Sequence, residues 1–113
     1  MRVYLAGPMT GHPDHNAAGF AAAEDYALAQ GWEIASPRRT DPAHDGPCPA
    51  GEPHTAAAGS HPYPCWLKAS LRMMLDCDAV LMLPGWQHSH GARLERTVAE
   101  ACGVPVDEMA AAT

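Results

Sequence analysis

Short apolar runs alternate along the chain with alanine-rich or amphipathic stretches, and each run stops at glycine or proline. Residues 2–6 (R-V-Y-L-A) end at Gly7 and Pro8, the pattern of a buried strand that closes in a sharp turn. From Asn16 the chain is rich in alanine up to Gly31. This predicts a helix with Asn16 as N-cap and Gly31 as its end, and with Phe20, Ala23, Ala27 and Leu28 facing inward. Residues 32–36 read as a second strand, stopped by Pro37. Over 66–75, Trp66, Leu67, Leu71, Met74 and Leu75 fall near helical spacing, with Lys68 and Arg72 on the other side. Residues 78–83 (D-A-V-L-M-L) are a continuous apolar run of the kind buried on both faces, closed by Pro84 and Gly85. A third helix over 91–102 turns Leu94, Val98 and Ala101 inward and ends at Gly103, and 104–106 is a short fourth strand.

Strands that alternate with helices, joined by right-handed crossovers, predict one small doubly wound α/β domain over 1–113. Its sheet is parallel, of about four strands, and Rossmann- or flavodoxin-like. Ligands of such sheets bind outside the carboxyl ends of the strands. The two turns that fall there are residues 7–11 and 84–91. Residues 37–64 break the pattern: seven of the 11 prolines lie in this stretch, with His44, His54 and His61. A loop of that length reads as a lid over the carboxyl edge of the sheet.

Composition narrows the function classes. Hydrophobic residues at 47% against 18% charged residues are a globular balance. A net charge of -6 with a pI near 5.5 repels polyanions, which argues against nucleic acid as the main partner. The longest apolar run, 79–83, is far short of the roughly 20 residues that span a bilayer, and the start of the chain does not read as a signal peptide. Four dispersed cysteines do not form a secreted disulfide framework, so a reducing cytoplasm is expected.

Two turns carry the candidate chemistry. In G-P-M-T-G-H-P the glycines let backbone N–H groups approach an anion near a helix start, but the turn is neither a Walker loop nor G-x-G-x-x-G and on its own reads better as a structural turn. In S-H-G-A-R-L-E, Ser89 stands at a helix start and Glu95 one turn into the helix, its side chain leaning back toward the cleft. The ordinary alternative makes Ser89 a cap and Glu95 a solvated acid paired with Arg93 or Arg96. Asp78, before a buried strand, reads as an acceptor for nearby backbone N–H groups. Trp86 could stack on a base or cover the end of the core. Arg38 and Arg39 could reach a phosphate or form a surface pair. Cys48, His54, His61 and Cys65 are residue types that zinc accepts, but C-x5-H-x6-H-x3-C lacks the tight pairs of structural zinc sites, and no metal is expected.

The segments V-Y-L-A-G-P-M-T-G, then Asn16 and Phe20, G-W-E-I-A-S-P, W-L, C-D-A-V-L-M-L-P-G-W, S-H-G-A-R-L-E and V-A-E together resemble the DUF4406 family. That family is similar in fold to nucleoside 2-deoxyribosyltransferases and 2'-deoxynucleoside 5'-phosphate N-hydrolases, and is found in bacteriophage and bacterial genomes. The resemblance covers nearly everything outside 37–64. It implies that Glu95 attacks the anomeric carbon of a deoxyribose to form a glycosyl-enzyme ester, while Ser89 and the first glycine turn hold a 5'-phosphate. The implied substrate contacts are Gly7, Pro8, Met9, Thr10, Gly11, Asn16, Ser70, Trp86 and Gly91. Ser70 stands eight residues before Asp78, where the relatives carry an aspartate, so a second carboxylate is missing there. Either Asp41, His44, Asp45, His88 or His90 protonates the leaving base, or the base departs without that proton. The resemblance further implies no metal or organic cofactor, a nucleoside or nucleoside 5'-monophosphate as ligand, and a homodimer whose neighbouring subunit completes the site. Two outcomes follow: a nucleotide N-glycosidase or deoxyribosyltransferase, or a non-catalytic nucleotide-binding or sensing module of the same fold.

Overall fold

Side chains alternate along strand β1 (Arg2–Ala6), sending Val3 and Leu5 to one face of the sheet and Tyr4 and Ala6 to the other. The computed structural model describes residues 1–9, 11–37 and 63–110, with side chains from Leu67 onward in the last stretch. Helix α1 (Ala17–Ala29) follows β1 and leads to β2 (Glu33–Ala35). Helix α2 (Tyr63–Leu75), β3 (Ala79–Met82), α3 (His90–Ala101) and β4 (Val106–Glu108) complete the order. Pro64 lies in the first turn of α2, where its missing N–H leaves no helical bond unmade, so the helix starts three residues before the expected 66.

The four strands are all parallel in the order β2-β1-β3-β4, with Tyr4 opposite Val80 and Ala6 opposite Met82. The fold is α/β, as the alternation predicts. Phe20 and Ala23 of α1 pack on Val3, Leu5, Leu81 and Leu83. On the opposite face Met74 of α2 and Ala92 and Ala99 of α3 pack on Tyr4, Ala6, Val80 and Met82. The crossovers therefore change face between β1 and β3, and the carboxyl ends of those two strands form the switch point.

Three expectations shift. Leu28 is 58% exposed, because it follows Ala27 by 100° around α1 and so leaves the buried side, and Leu75 at the end of α2 is also exposed. β4 begins at Val106 rather than 104 because the Val104 N–H is spent on Ala99 O at the end of α3 and Pro105 contributes only its carbonyl, to Val80 N–H. It continues through Asp107 and Glu108, polar residues that an exposed edge strand accepts.

Candidate active site

The two turns at the switch point lie against each other. Gly7 is buried, and a Cβ on it would stand 2.7 Å from Leu83 Cβ, so a residue with a side chain would push the turns apart. Pro8 is buried too, with its Cγ 3.5 Å from where a Cβ on Gly85 would stand, and Gly85 has φ +86. Gly7 thus has a packing reason of its own, beside any role toward an anion. Met9 rests on the Val3, Leu5 and Phe20 side of the core, and Gly11 is exposed at φ +82.

Ser89 caps α3: its Oγ accepts the Ala92 N–H at 3.2 Å. The helix then buries Ala92, Glu95 and Ala99. This corrects the expected stripe of Leu94, Val98 and Ala101 in part: Val98 is half-buried and packs on the core, whereas Leu94 is only half-buried and Ala101 is exposed. Two alanines bring the helix close to the sheet, and the acid between them is tolerated because it has a partner there. Glu95 is 6% exposed and accepts a hydrogen bond from the Tyr4 hydroxyl of β1. The reading of Glu95 as a solvated acid is overturned. Arg96, one of its two expected partners, bonds Glu100 at 2.8 Å and faces Glu108 at 3.4 Å instead.

Burial pushes the Glu95 carboxyl up to about 7, with the Tyr4 hydrogen bond acting against that rise. The Tyr4 hydroxyl is pushed far up, first by its own burial and then by the charge of Glu95 beside it. Ser70, on α2 and buried, acts against that rise. One strand and two helices therefore bring Ser70, Tyr4 and Glu95 together. Sequence reasoning placed Ser70 and Glu95 here but missed Tyr4. The signal was present: a tyrosine in a strand covered on both faces must find a hydrogen-bond partner for its hydroxyl.

Residues 1–108 match the family described as "Domain of unknown function (DUF4406)". The chain belongs to that family. No curated protein and no solved structure matches it. The remaining residues of interest in this DUF4406 chain divide sharply. Asn16 precedes α1 with φ 64 and makes no side-chain cap bond, which corrects the capping expectation. It is the third residue in a run of positive φ with Asp14 and His15, a conformation incompatible with the extended backbone of a capping residue. Its amide lies over Gly19, where a Cβ would stand 2.5 Å from Asn16 Oδ1. Trp86 donates from Nε1 to Glu108 at 3.0 Å, lies under the Arg96 guanidinium at 4.5 Å, and packs on the core. Its indole joins α3 to β4, as the covering reading expects.

Asp78 accepts the Arg2 N–H at 2.8 Å and returns its own N–H to Arg2 O at 2.8 Å. This is the structural role expected of it, at the amino end of the strands and away from the switch point. Gly91 is half-buried in the first turn of α3, and His88 and His90 are exposed beside it. Thr10, Arg38, Arg39, Asp41, His44, Asp45, Cys48, His54 and His61 lie outside the described residues, as does the side chain of Cys65. Among the described residues, no three His, Cys, Asp or Glu side chains are grouped to hold a metal, and no helix is long and apolar enough to cross a membrane.

Proposed function

We propose that this chain is a nucleotide N-glycosidase or deoxyribosyltransferase that cleaves the bond between base and deoxyribose, with Glu95 as nucleophile and a nucleoside or its 5'-monophosphate as substrate. The observation that carries the reading is a buried carboxylate beside the switch point, held by a phenolic hydroxyl. In the first step a Glu95 oxygen bonds to the anomeric carbon while the C–N bond breaks and its electron pair leaves with the base, which takes up a proton. In the second step water or an acceptor base attacks the same carbon and frees Glu95. Tyr4 keeps one carboxylate oxygen engaged and so orients the other. The acceptor side of Ser89 is occupied by Ala92 N–H, so its hydroxyl proton is the part a phosphate would use. Ser70 supplies no second carboxylate, so the leaving base must find its proton elsewhere, for which His88 and His90 flank the start of α3. The reading extends to a homodimer in the cytoplasm, serving nucleotide metabolism of a bacterium or phage.

A second reading is a non-catalytic nucleotide-binding module, favoured by a serine at 70 in place of a second carboxylate and by a Glu95 that is partly neutral near pH 7. One experiment separates the two: incubation with deoxynucleoside 5'-monophosphates, their ribose forms and the free nucleosides, with chromatography of released base and a Glu95→Ala control. Release by the unsubstituted protein alone supports the enzyme. No release from any substrate, with a nucleotide still raising the melting temperature, supports the module. A light-scattering mass of 12.0 kDa would count against the dimer.

A further inference from the structure

Ser89 stands at a corner whose two arms are brought back together. One arm is the 3-10 turn Trp86–His88 that follows β3, and the other is the opening of α3 as far as Arg96. The Arg96 guanidinium lies 4.5 Å from the centre of the Trp86 ring, a cation over an aromatic face. Glu108, the last residue of β4, closes the corner from outside. Its Oε1 accepts the Trp86 Nε1–H at 3.0 Å and its Oε2 faces Arg96 Nη1 at 3.4 Å. The Arg96 Nε goes to Glu100 at 2.8 Å, so the two acids take different nitrogens of one guanidinium. β4 is itself anchored: Glu108 pairs with Met82 in the sheet, and the Met109 N–H bonds Met82 O at 2.8 Å. An acid on an edge strand ordinarily faces water and keeps other chains from pairing there. This one has both oxygens engaged, one on each arm of the same corner.

The inner side of α3 shows why such a tie matters. It buries Ala92, Glu95 and Ala99, and a methyl group interlocks little with the sheet, so packing alone holds the rotation of the helix weakly. From within, the Tyr4 hydroxyl holds Glu95, and from without, Glu108 holds the next residue, Arg96. We propose that Glu108 is a positioning residue: through Trp86 and Arg96 it holds the corner that presents Ser89 at the switch point, so that substrate meets a turn already in place. The use of the corner in binding rests on the reading of Ser89 as a phosphate contact, whereas its closure by Glu108 is a property of the ligand-free protein. Order built in before binding does not have to be created by it. Glu108 thereby acts on the site without touching substrate.

The test is amide hydrogen exchange by NMR in the full chain, in Glu108→Ala, in Trp86→Phe and in the double variant, with the kinetics of base release beside it. The reporters are the N–H groups of Trp86, His88 and Ser89, bonded to Leu83 O, Gly85 O and Trp86 O, and the reference is the Leu83 N–H, bonded to Ala6 O. Glu108→Ala is expected to speed exchange at the reporters about threefold to tenfold, and far less at the reference. In the Trp86→Phe background the same substitution is expected to add less, because phenylalanine has no N–H for Glu108 to hold. KM for base release should rise in Glu108→Ala by a similar factor with kcat held, since Tyr4 still holds Glu95. Glu108→Gln, whose amide oxygen still accepts from the indole, should recover most of that loss. Unchanged reporters, equal acceleration at reporters and reference, or an equal effect in both backgrounds overturns the proposal, as does a KM that stays constant while the corner opens. If no base is released under any condition while the reporters respond as described, the enzymatic reading fails and the closure of the corner by Glu108 stands.

Discussion

The Tyr4 hydroxyl donates to the Glu95 carboxylate, tying the first strand to the last helix across 91 positions of chain. Such a bond favours the charged form of the acid, while burial favours the neutral one, and burial prevails. A nucleophilic carboxylate must be ionised. Base release should therefore rise with pH and level off above about 7, with half its maximum near that value. Initial rates from pH 5 to 9 check this, and a rate that falls with pH would make Glu95 a proton donor instead.

The same acid should leave a mark on stability. Its carboxyl titrates at about 7 in the folded chain against an ordinary 4.5, so between those values the folded state holds a proton that the unfolded state has lost. The contribution is fully present below 4.5 and gone once pH has risen through about 7. Glu95→Gln, which cannot ionise, should lack it. The stability difference between the two proteins should change by on the order of 3 kcal/mol in favour of the glutamine from pH 4.5 to 8. Urea unfolding at the two pH values measures it.

Much of this arrangement was legible in the residues, and the gaps have physical reasons. Continuous apolar runs in β1 and β3, with alanines and amphipathic spacing between them, define a parallel sheet with helices on both sides. Glu95 could be aimed at the cleft from its place one turn into a helix. The buried stripe of α3 was not legible, because Leu94 and Val98 outweigh two alanines and an acid on any hydrophobicity scale. Only the proximity of Tyr4, fixed by the pairing of β1 with β3, makes Glu95 an inward residue. Asn16 failed as a cap for a related reason: its identity suits that role, but its left-handed backbone does not.

The contact between the two turns yields a prediction for Gly7. Gly7→Ala places a methyl group 2.7 Å from Leu83 Cβ in a region already packed. We expect a loss of about 1 to 3 kcal/mol. Thermal or urea unfolding would show it, and a variant as stable as the parent would mean that the turns separate freely.

Asp78 offers a contrasting case. Its carboxylate receives the Arg2 N–H at the amino end of the strands. Asp78→Ala should cost about 1 kcal/mol in unfolding free energy. Base release per folded molecule should stay unchanged, and a collapse of turnover in a fully folded variant would place an acid where none is assigned.

Ala92 and Ala99 are fully buried on either side of Glu95 along α3, and both pack on the sheet beside Tyr4. Their small size sets the height of the helix above the strands, and that height decides whether water reaches the acid. The acid strength of Glu95 is thus tuned mechanically, by two methyl groups that carry no charge. A bulkier side chain at either position would lift the helix, admit solvent and return the carboxyl toward its ordinary acidity, a means of changing the working pH of the protein without altering any polar residue.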